Sequence, residues 1–533
     1  MKIRLAILGL LFTACATAKT NGNNDLASNN PIQTIIDLTS IIDDKAPVTI
    51  NPGRFTVDEV IYRLPKVIQG SYEVSDFGNY IDSFQALDYN GNVIPSEKID
   101  ANSWSISDAK NLDKITYLVN DTYDIEYKTE FPVIFSPEGT NISADNFMLN
   151  LHGFIGYFDS LKNNAYTLDV IAPVNFKRVS ALEQRGETLS PDGTKITTDY
   201  FAPRYFDITD NPMMYGNLDI EEFKVENINI VLSVYSPNQL HTAKEIKKTV
   251  YKMMEAQKAY LGDLPTPNRY DIILFLSDGK ENSPQGFGAL EHNKSTVTVL
   301  RERSSKEYLA KSVLDIVAHE FFHIVTPLGI HSEDVQYFDY NNPTFSKHLW
   351  LYEGVTEYFA QHFQVYEGLI TEQEFYNTMA HKINYSKYFD DTMSFTEMSE
   401  HIIEEPYAQN YANVYDKGAL IGMCLDILIR EGSHGKRSLM SLLKELSLKY
   451  GENKTFNDDN LIAEISQMTY PSVAEFFKLH VEGGTPIPYQ EYFDKVGLTL
   501  SPNRQLKESE NVTETQLTLR NAWLKSNCSQ NKS

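Results

Sequence analysis

The sequence predicts an α+β protein in which a β-rich N-terminal domain precedes a mixed sheet and a helical lobe. Three observations carry this. Apolar residues alternate with period two up to about residue 237, and beyond it they recur at helical spacing. Pro and Gly separate the alternating runs, as in an antiparallel sandwich or saddle. The 533 residues allow about three domains, and 42% hydrophobic with 12% aromatic content is that of a folded chain.

Residues 1–14 read as an export signal. Met1-Lys2-Ile3-Arg4 is basic, Leu5 to Phe12 is apolar, and the stretch is too short to anchor stably in a bilayer. Phe12-Thr13-Ala14-Cys15 is similar to a bacterial lipobox, which implies lipidation at Cys15 and a lipoprotein of the periplasm or outer membrane. Cleavage after Ala16 or Ala18 is the alternative. Residues 15–30 form a polar linker.

Residues 31–237 are the β-rich domain. Ile115, Tyr117 and Val119 alternate with polar neighbours, as do Phe147, Leu149 and Leu151, and Ile228, Ile230, Leu232 and Val234. Residues 238–495 form the second domain. Thr242 with Glu245 makes a capping box for a helix ending near Gly262. Arg269 to Leu276 reads as a buried strand, and Ser295 to Leu300 as an alternating, edge-like one. Ser304 with Glu307 caps a helix whose apolar positions Leu309, Val313, Ile316 and Val317 lead into His319, and Pro327 stops it. A polar loop, 329–342, leads to a helix carrying Trp350, Glu353 and Glu357. Residues 371–480 are mainly helical, and residues 496–533 read as a C-terminal tail whose Asn- and Ser-containing end is disordered.

The net charge of −25 excludes a nucleic-acid partner, because it leaves no positive surplus for phosphates. A solvated acidic surface accounts for it better than a taste for basic substrates. Three cysteines, Cys15, Cys424 and Cys528, exclude a disulfide framework and a Cys₄ zinc site. Cys424 lies in an apolar run and reads as a core residue. No later segment has the length of a membrane helix.

The chemistry concentrates at His319-Glu320-Phe321-Phe322-His323 and at Glu353 in Trp350-Leu351-Tyr352-Glu353-Gly354. Residues four apart share a helix face, so His319 and His323 can reach one ion, with Glu353 as third ligand. That is the donor set of a hydrolytic zinc site, which keeps a fourth position for water. Glu320, beside the ligands, is placed to act as base. Two solvated helix histidines are the alternative, but Phe321 and Phe322 argue for a packed helix. Glu357, one turn after Glu353, is either an acceptor for a ligand histidine's ring N–H or an exposed helix glutamate.

Together with the Leu349-to-Tyr358 run and the later Tyr415-Asp416-Lys417-Gly418-Ala419-Leu420, this motif resembles the glycyl aminopeptidase family of gluzincin metallopeptidases over roughly residues 210–495. The resemblance implies a thermolysin-like catalytic domain, one Zn²⁺ per chain, and removal of small N-terminal residues such as Gly or Ala from peptides. It implies zinc ligands at His319, His323 and Glu353, a general base at Glu320, and an oxyanion donor at Tyr415. Gly288-Ala289-Leu290-Glu291-His292 is similar to the element that lines the substrate in related aminopeptidases. Gly288 and Ala289 would pair with the peptide backbone, Glu291 would take its α-ammonium, and His292 stands where the larger aminopeptidase group has Asn. Two departures stand out. Ile324-Val325-Thr326-Pro327 replaces a basic stretch, and the residues after Tyr492 leave no room for the PDZ-like domain common in the family. A zinc endopeptidase and a non-catalytic peptide-binding lipoprotein are the rival functions.

Overall fold

The computed structural model describes residues 27, 30–124, 133–280, 282–451 and 453–525. The expected signal segment and Cys15 lie outside the described residues. Among the described residues, the N-terminal half holds three sheets. The largest has eight strands and is centred on Ile32–Asp37, which pairs antiparallel with Lys45–Asn51 and parallel with Tyr166–Pro173. Its period-two pattern buries Ile32, Thr34 and Ile36 on one face, as alternation requires. A four-stranded sheet containing Glu59–Arg63 and Ser103–Ser107 closes the core, with Tyr62 and Trp104 inside.

In a second four-stranded sheet, the adjacent strands Asn146–Leu149 and Met213–Gly216 are buried on both faces. Phe147, Leu149, Met213 and Tyr215 enter the N-terminal core. Met148 and Met214 point the other way, onto Val231, Ile273, Phe275, Val297 and Val299 of the next sheet. Leu151, grouped with this strand on alternation, opens the short helix Leu151–Phe154 instead.

That next sheet has five strands in the order Asp219–Val225, Ile228–Tyr235, Arg269–Ser277, Ser295–Arg301 and Gly288–His292. Ile228–Tyr235 pairs in parallel with Arg269–Ser277, so the alternating run 228–234 belongs to this sheet and not with the N-terminal strands. The sheet thus straddles the expected boundary at 237. Ser295–Arg301 is also not edge-like. It lies between two strands and is buried from Ser295 to Leu300, because the N-terminal sheet covers the face that alternation would leave to solvent. Gly288–His292 is the true edge.

The opposite face carries helices. Thr242 caps Ala243–Leu261 by accepting from the Glu245 N–H, while the Glu245 carboxylate pairs with Lys306 and leaves half the expected box unmade. The helix with the histidines runs Lys306–Phe322, and its cap is Ser305, one residue beyond the expected Ser304. Helices then dominate from 356 to 495, with Cys424 buried in the core.

After 495 the described residues reach 525 and are ordered, while the Asn- and Ser-containing end expected to be disordered lies outside the described residues. The ordered part forms a two-stranded ribbon, Leu498–Leu500 with Leu506–Glu508, and the helix Glu514–Leu524. Trp523 is fully buried and donates through Nε1 to the Tyr358 hydroxyl at 2.9 Å. No helix among the described residues is long and apolar enough to cross a membrane.

Candidate metal and substrate site

His323 caps the C-terminus of Lys306–Phe322, one turn after His319, and both rings face the next element. That element begins as a π-helix, Trp350–Val355, and continues as the α-helix Thr356–Tyr366. The wider turn sets Glu353 opposite the histidines, a use typical of π-turns at functional sites. Glu353 Oε2 lies 3.3 Å from His319 Nε2 and 3.7 Å from His323 Nε2. One ligand atom from each of the three lies within 4.8 Å of the others, and all three residues are buried.

Both tautomers are set from behind. His319 Nδ1–H donates to Glu357 Oε2 at 2.9 Å, and His323 Nδ1–H to the Thr326 carbonyl at 3.2 Å. Each ring therefore presents the Nε2 lone pair to the centre. Of the two readings of Glu357, the acceptor is the one seen. It is held in turn by Lys382 Nζ, 2.8 Å from Oε1. Burial works against its charge, but Lys382 and His319 hold the Glu357 carboxyl down to about 2. Burial pushes His323 down to about 4, which keeps it neutral as a ligand must be. Despite burial, His323 and His319 keep the Glu353 carboxyl below its ordinary range.

Two neutral-capable imidazoles, one ionised carboxylate and tied second nitrogens are the donor chemistry of a hydrolytic zinc site, so the residues fit one Zn²⁺.

Glu320 and Glu291 stand beside this centre. Their carboxylate oxygens and a His323 nitrogen lie within 4.8 Å of one another. Burial, with the nearby Glu353 charge, pushes the Glu320 carboxyl up to about 7, although His319 opposes it. Glu291 is pushed well above the carboxylate range by burial and by Glu353 and Glu320. Among the described residues no Lys or Arg pairs with it. Gly288 and Ala289 lie on the same edge strand. His292 is committed elsewhere, its Nδ1 3.2 Å from Asp210 Oδ1.

Tyr415 reaches the site from the helix Asn413–Gly432, its ring centroid 5.6 Å from that of His319. Its hydroxyl is 2.7 Å from the Tyr411 hydroxyl, and burial keeps it a neutral phenol. Gly354 and Gly418 let this helix approach. A Cβ on Gly354 would sit 2.6 Å from the Gly418 carbonyl carbon.

Sequence reasoning missed four participants. Lys382 bonds the Tyr415 carbonyl as well as Glu357. The Tyr411 hydroxyl partners Tyr415. Gly70 and Tyr72 come from the N-terminal half. A Cβ on Gly70, at φ +88°, would lie 2.7 Å from Glu291 Oε1. Tyr72 packs on Phe345 and Tyr411, and its hydroxyl helps to hold the Glu353 carboxyl down. Tyr411 stands four residues before Tyr415, a spacing the sequence does show. Lys382 comes from a separate helix, Glu372–Tyr385, and Gly70 and Tyr72 arrive only because the N-terminal half closes onto the site.

Fold and donor set define a zinc metallopeptidase of the gluzincin type. The model of the M61 peptidase N-terminal domain matches residues 33–217, and that of M61 glycyl aminopeptidase matches residues 312–421. The chain belongs to the M61 glycyl aminopeptidase family and is a zinc aminopeptidase. Among solved structures it is similar to an aminopeptidase N family protein from Idiomarina loihiensis, at 22% identity and TM-score 0.74, covering 88% of this chain and 78% of that one. It is also similar to an M1 zinc metallopeptidase from Deinococcus radiodurans, at 13% identity and TM-score 0.54, covering 86% and 95%. A mutant of that enzyme, bound to a Tyr-Ser-Ala substrate, matches with the same figures. No curated protein matches the chain.

Proposed function

We propose that this chain removes N-terminal residues one at a time from peptides, using a thermolysin-like arrangement in which each side chain of the site has one task. His319, His323 and Glu353 hold zinc, which when bound polarises the scissile carbonyl and makes water more acidic. Glu320, buried beside the ligands, takes a proton from the attacking water and hands it to the departing amine. Tyr415, a neutral phenol beside His319, donates to the oxygen that gains charge. Gly288 and Ala289 offer edge-strand backbone to which an extended peptide can add.

The observation that carries the exopeptidase reading is Glu291. It is a largely buried carboxylate with no cation partner among the described residues, set close to Glu320. An isolated buried charge is costly, and a free α-ammonium removes that cost where an internal peptide bond cannot. The likeness to a metallopeptidase whose mutant holds a tripeptide supports the same substrate class. Export and anchoring through Cys15 rest on the N-terminal sequence and place the reaction in the cell envelope. A small first residue, such as Gly or Ala, is what the resemblance implies.

A panel of aminoacyl amides, with and without chelator, tests the reading. Hydrolysis is expected only with metal. Glu291→Ala is expected to cripple cleavage of free N-termini while largely sparing N-acetylated peptides. Equal loss on both favours the endopeptidase, and purified protein without stoichiometric zinc favours the non-catalytic binder.

A further inference from the structure

The edge strand Gly288–His292 pairs on one side with Ser295–Arg301 and leaves its other side open, so no second strand holds it in place. We propose that the N-terminal half holds this strand from behind, and that Asp210 is a positioning residue which, through His292 and Asn293, sets Glu291 where the substrate's α-ammonium binds. This rests on the reading of Glu291 as the ammonium anchor and supplies what keeps that anchor in place.

Side chains alternate along a strand. Ala289 and Glu291 therefore share one face, and on it a Glu291 oxygen lies within 4.8 Å of a Glu320 oxygen and a His323 nitrogen. Gly288, Leu290 and His292 share the other, and each meets the N-terminal half. A Cβ on Gly288 would lie 2.7 Å from the Phe135 ring, Leu290 is buried in the N-terminal core, and His292 reaches Asp210.

Asp210 grips the end of the strand nearest Glu291. The chain turns back there through Asn293 and Lys294, with His292 paired to Ser295. Asp210 Oδ2 accepts from the Asn293 backbone N–H at 3.1 Å and from its side-chain Nδ2 at 2.8 Å. Asp210 Oδ1 accepts from His292 Nδ1–H at 3.2 Å. The other ring nitrogen, Nε2, is buried without a protein partner among the described residues, so the ring's polar hold is on Asp210 alone. Asp210 is itself fixed. It follows the helix Tyr205–Thr209 and precedes Met213, and both Ile208 and Met213 enter the N-terminal core.

The grip works against a repulsion. Burial and the charges of Glu353 and Glu320 all oppose an ionised Glu291, so a loose strand end would carry its carboxylate away from the metal site. Charge-assisted hydrogen bonds are the stronger kind, which suits a carboxylate to this task.

Two hydroxamates that differ only in the α-amine, alanine hydroxamate and propionohydroxamate, test this on the zinc-loaded enzyme. Both carry the same metal-binding group, so the ratio of their dissociation constants reports the ammonium anchor, and damage to the metal centre cancels. The parent is expected to bind alanine hydroxamate at least about thirtyfold more tightly. Asp210→Ala is expected to lower that preference by about tenfold or more, because small misplacements of an anchoring group are costly. Asp210→Asn keeps the shape and one acceptor and is expected to lower it by about threefold or more, which decides the matter should Asp210→Ala not fold. An undiminished preference in either folded variant overturns the proposal. Hydrogen exchange gives a second readout that needs neither zinc nor ligand. The Asn293 backbone amide is expected to exchange at least about tenfold faster in whichever variant folds, and unchanged exchange overturns the proposal too. A parent enzyme that binds the two hydroxamates equally removes the ammonium role of Glu291 itself, and the proposal with it.

Discussion

At the scale of single residues, the site is a set of charges that hold one another in place. Lys382 neutralises Glu357, Glu357 orients His319, and His319 with His323 keeps Glu353 ionised. Such outer partners typically change metal affinity by about 10–100-fold. Glu357→Gln is therefore expected to weaken zinc binding by that factor, read by competition with a chromophoric chelator. An affinity within twofold of the parent would show that Glu357 only fills space. Tyr415→Phe removes the hydroxyl proposed to donate to the developing oxyanion and keeps the ring. A fall in kcat of about 10²–10³-fold with KM little changed is expected, and a change confined to KM would assign Tyr415 to substrate binding alone. His319, Glu320 and His323 are legible in sequence because helix geometry ties spacing to direction, and Glu353 through the run it shares with the family. Lys382 and Tyr72 are not, since each acts across a contact with no fixed spacing.

At the scale of elements, two helices must cross almost backbone to backbone to bring Tyr415 and Glu353 to one centre. Gly354 lies in the π-turn and Gly418 one turn after Tyr415, and neither leaves room for a methyl group. Gly354→Ala is expected to destabilise the protein by about 1–3 kcal/mol, as overpacking does, and to lower kcat by moving Tyr415 relative to the ligands. Thermal unfolding with steady-state rates checks both, and a parent-like melting point with full activity would show the helices free to part. The motif run and its glycine are visible in sequence. The π-turn is not, because its residues read equally well as an ordinary helical turn.

At the scale of the molecule, the C-terminal helix is clasped by buried polar groups. His362 takes a hydrogen bond at Nδ1 from the Tyr260 hydroxyl and gives one from Nε2 to the Trp523 carbonyl, each 2.7 Å. Burial pushes its pKa down to about 4, against about 6.5 in an unfolded chain. Between those values the unfolded chain binds the proton and the folded one does not, so stability falls as pH drops from about 6.5 to 4 and is fully present above. The loss is on the order of 2–3 kcal/mol. Urea midpoints are expected to fall over that window in the parent and to fall less in His362→Gln, whose side chain does not titrate. Equal slopes would remove His362 as the cause.

The sequence by itself determined the His319–His323 pair on one helix face, the carboxylate of Glu320 beside it and the order of β-rich and helical parts. Those depend on near neighbours along the chain, where spacing alone fixes which way a side chain points. Only the tertiary structure decided the rest. The strand Ser295–Arg301 is interior because a sheet from the N-terminal half covers it. The last helix is ordered because Trp523 finds a core to enter. Gly70 and Tyr72 meet Glu291 and Glu353 because two distant halves close on each other, and burial by distant parts leaves no periodicity in either partner.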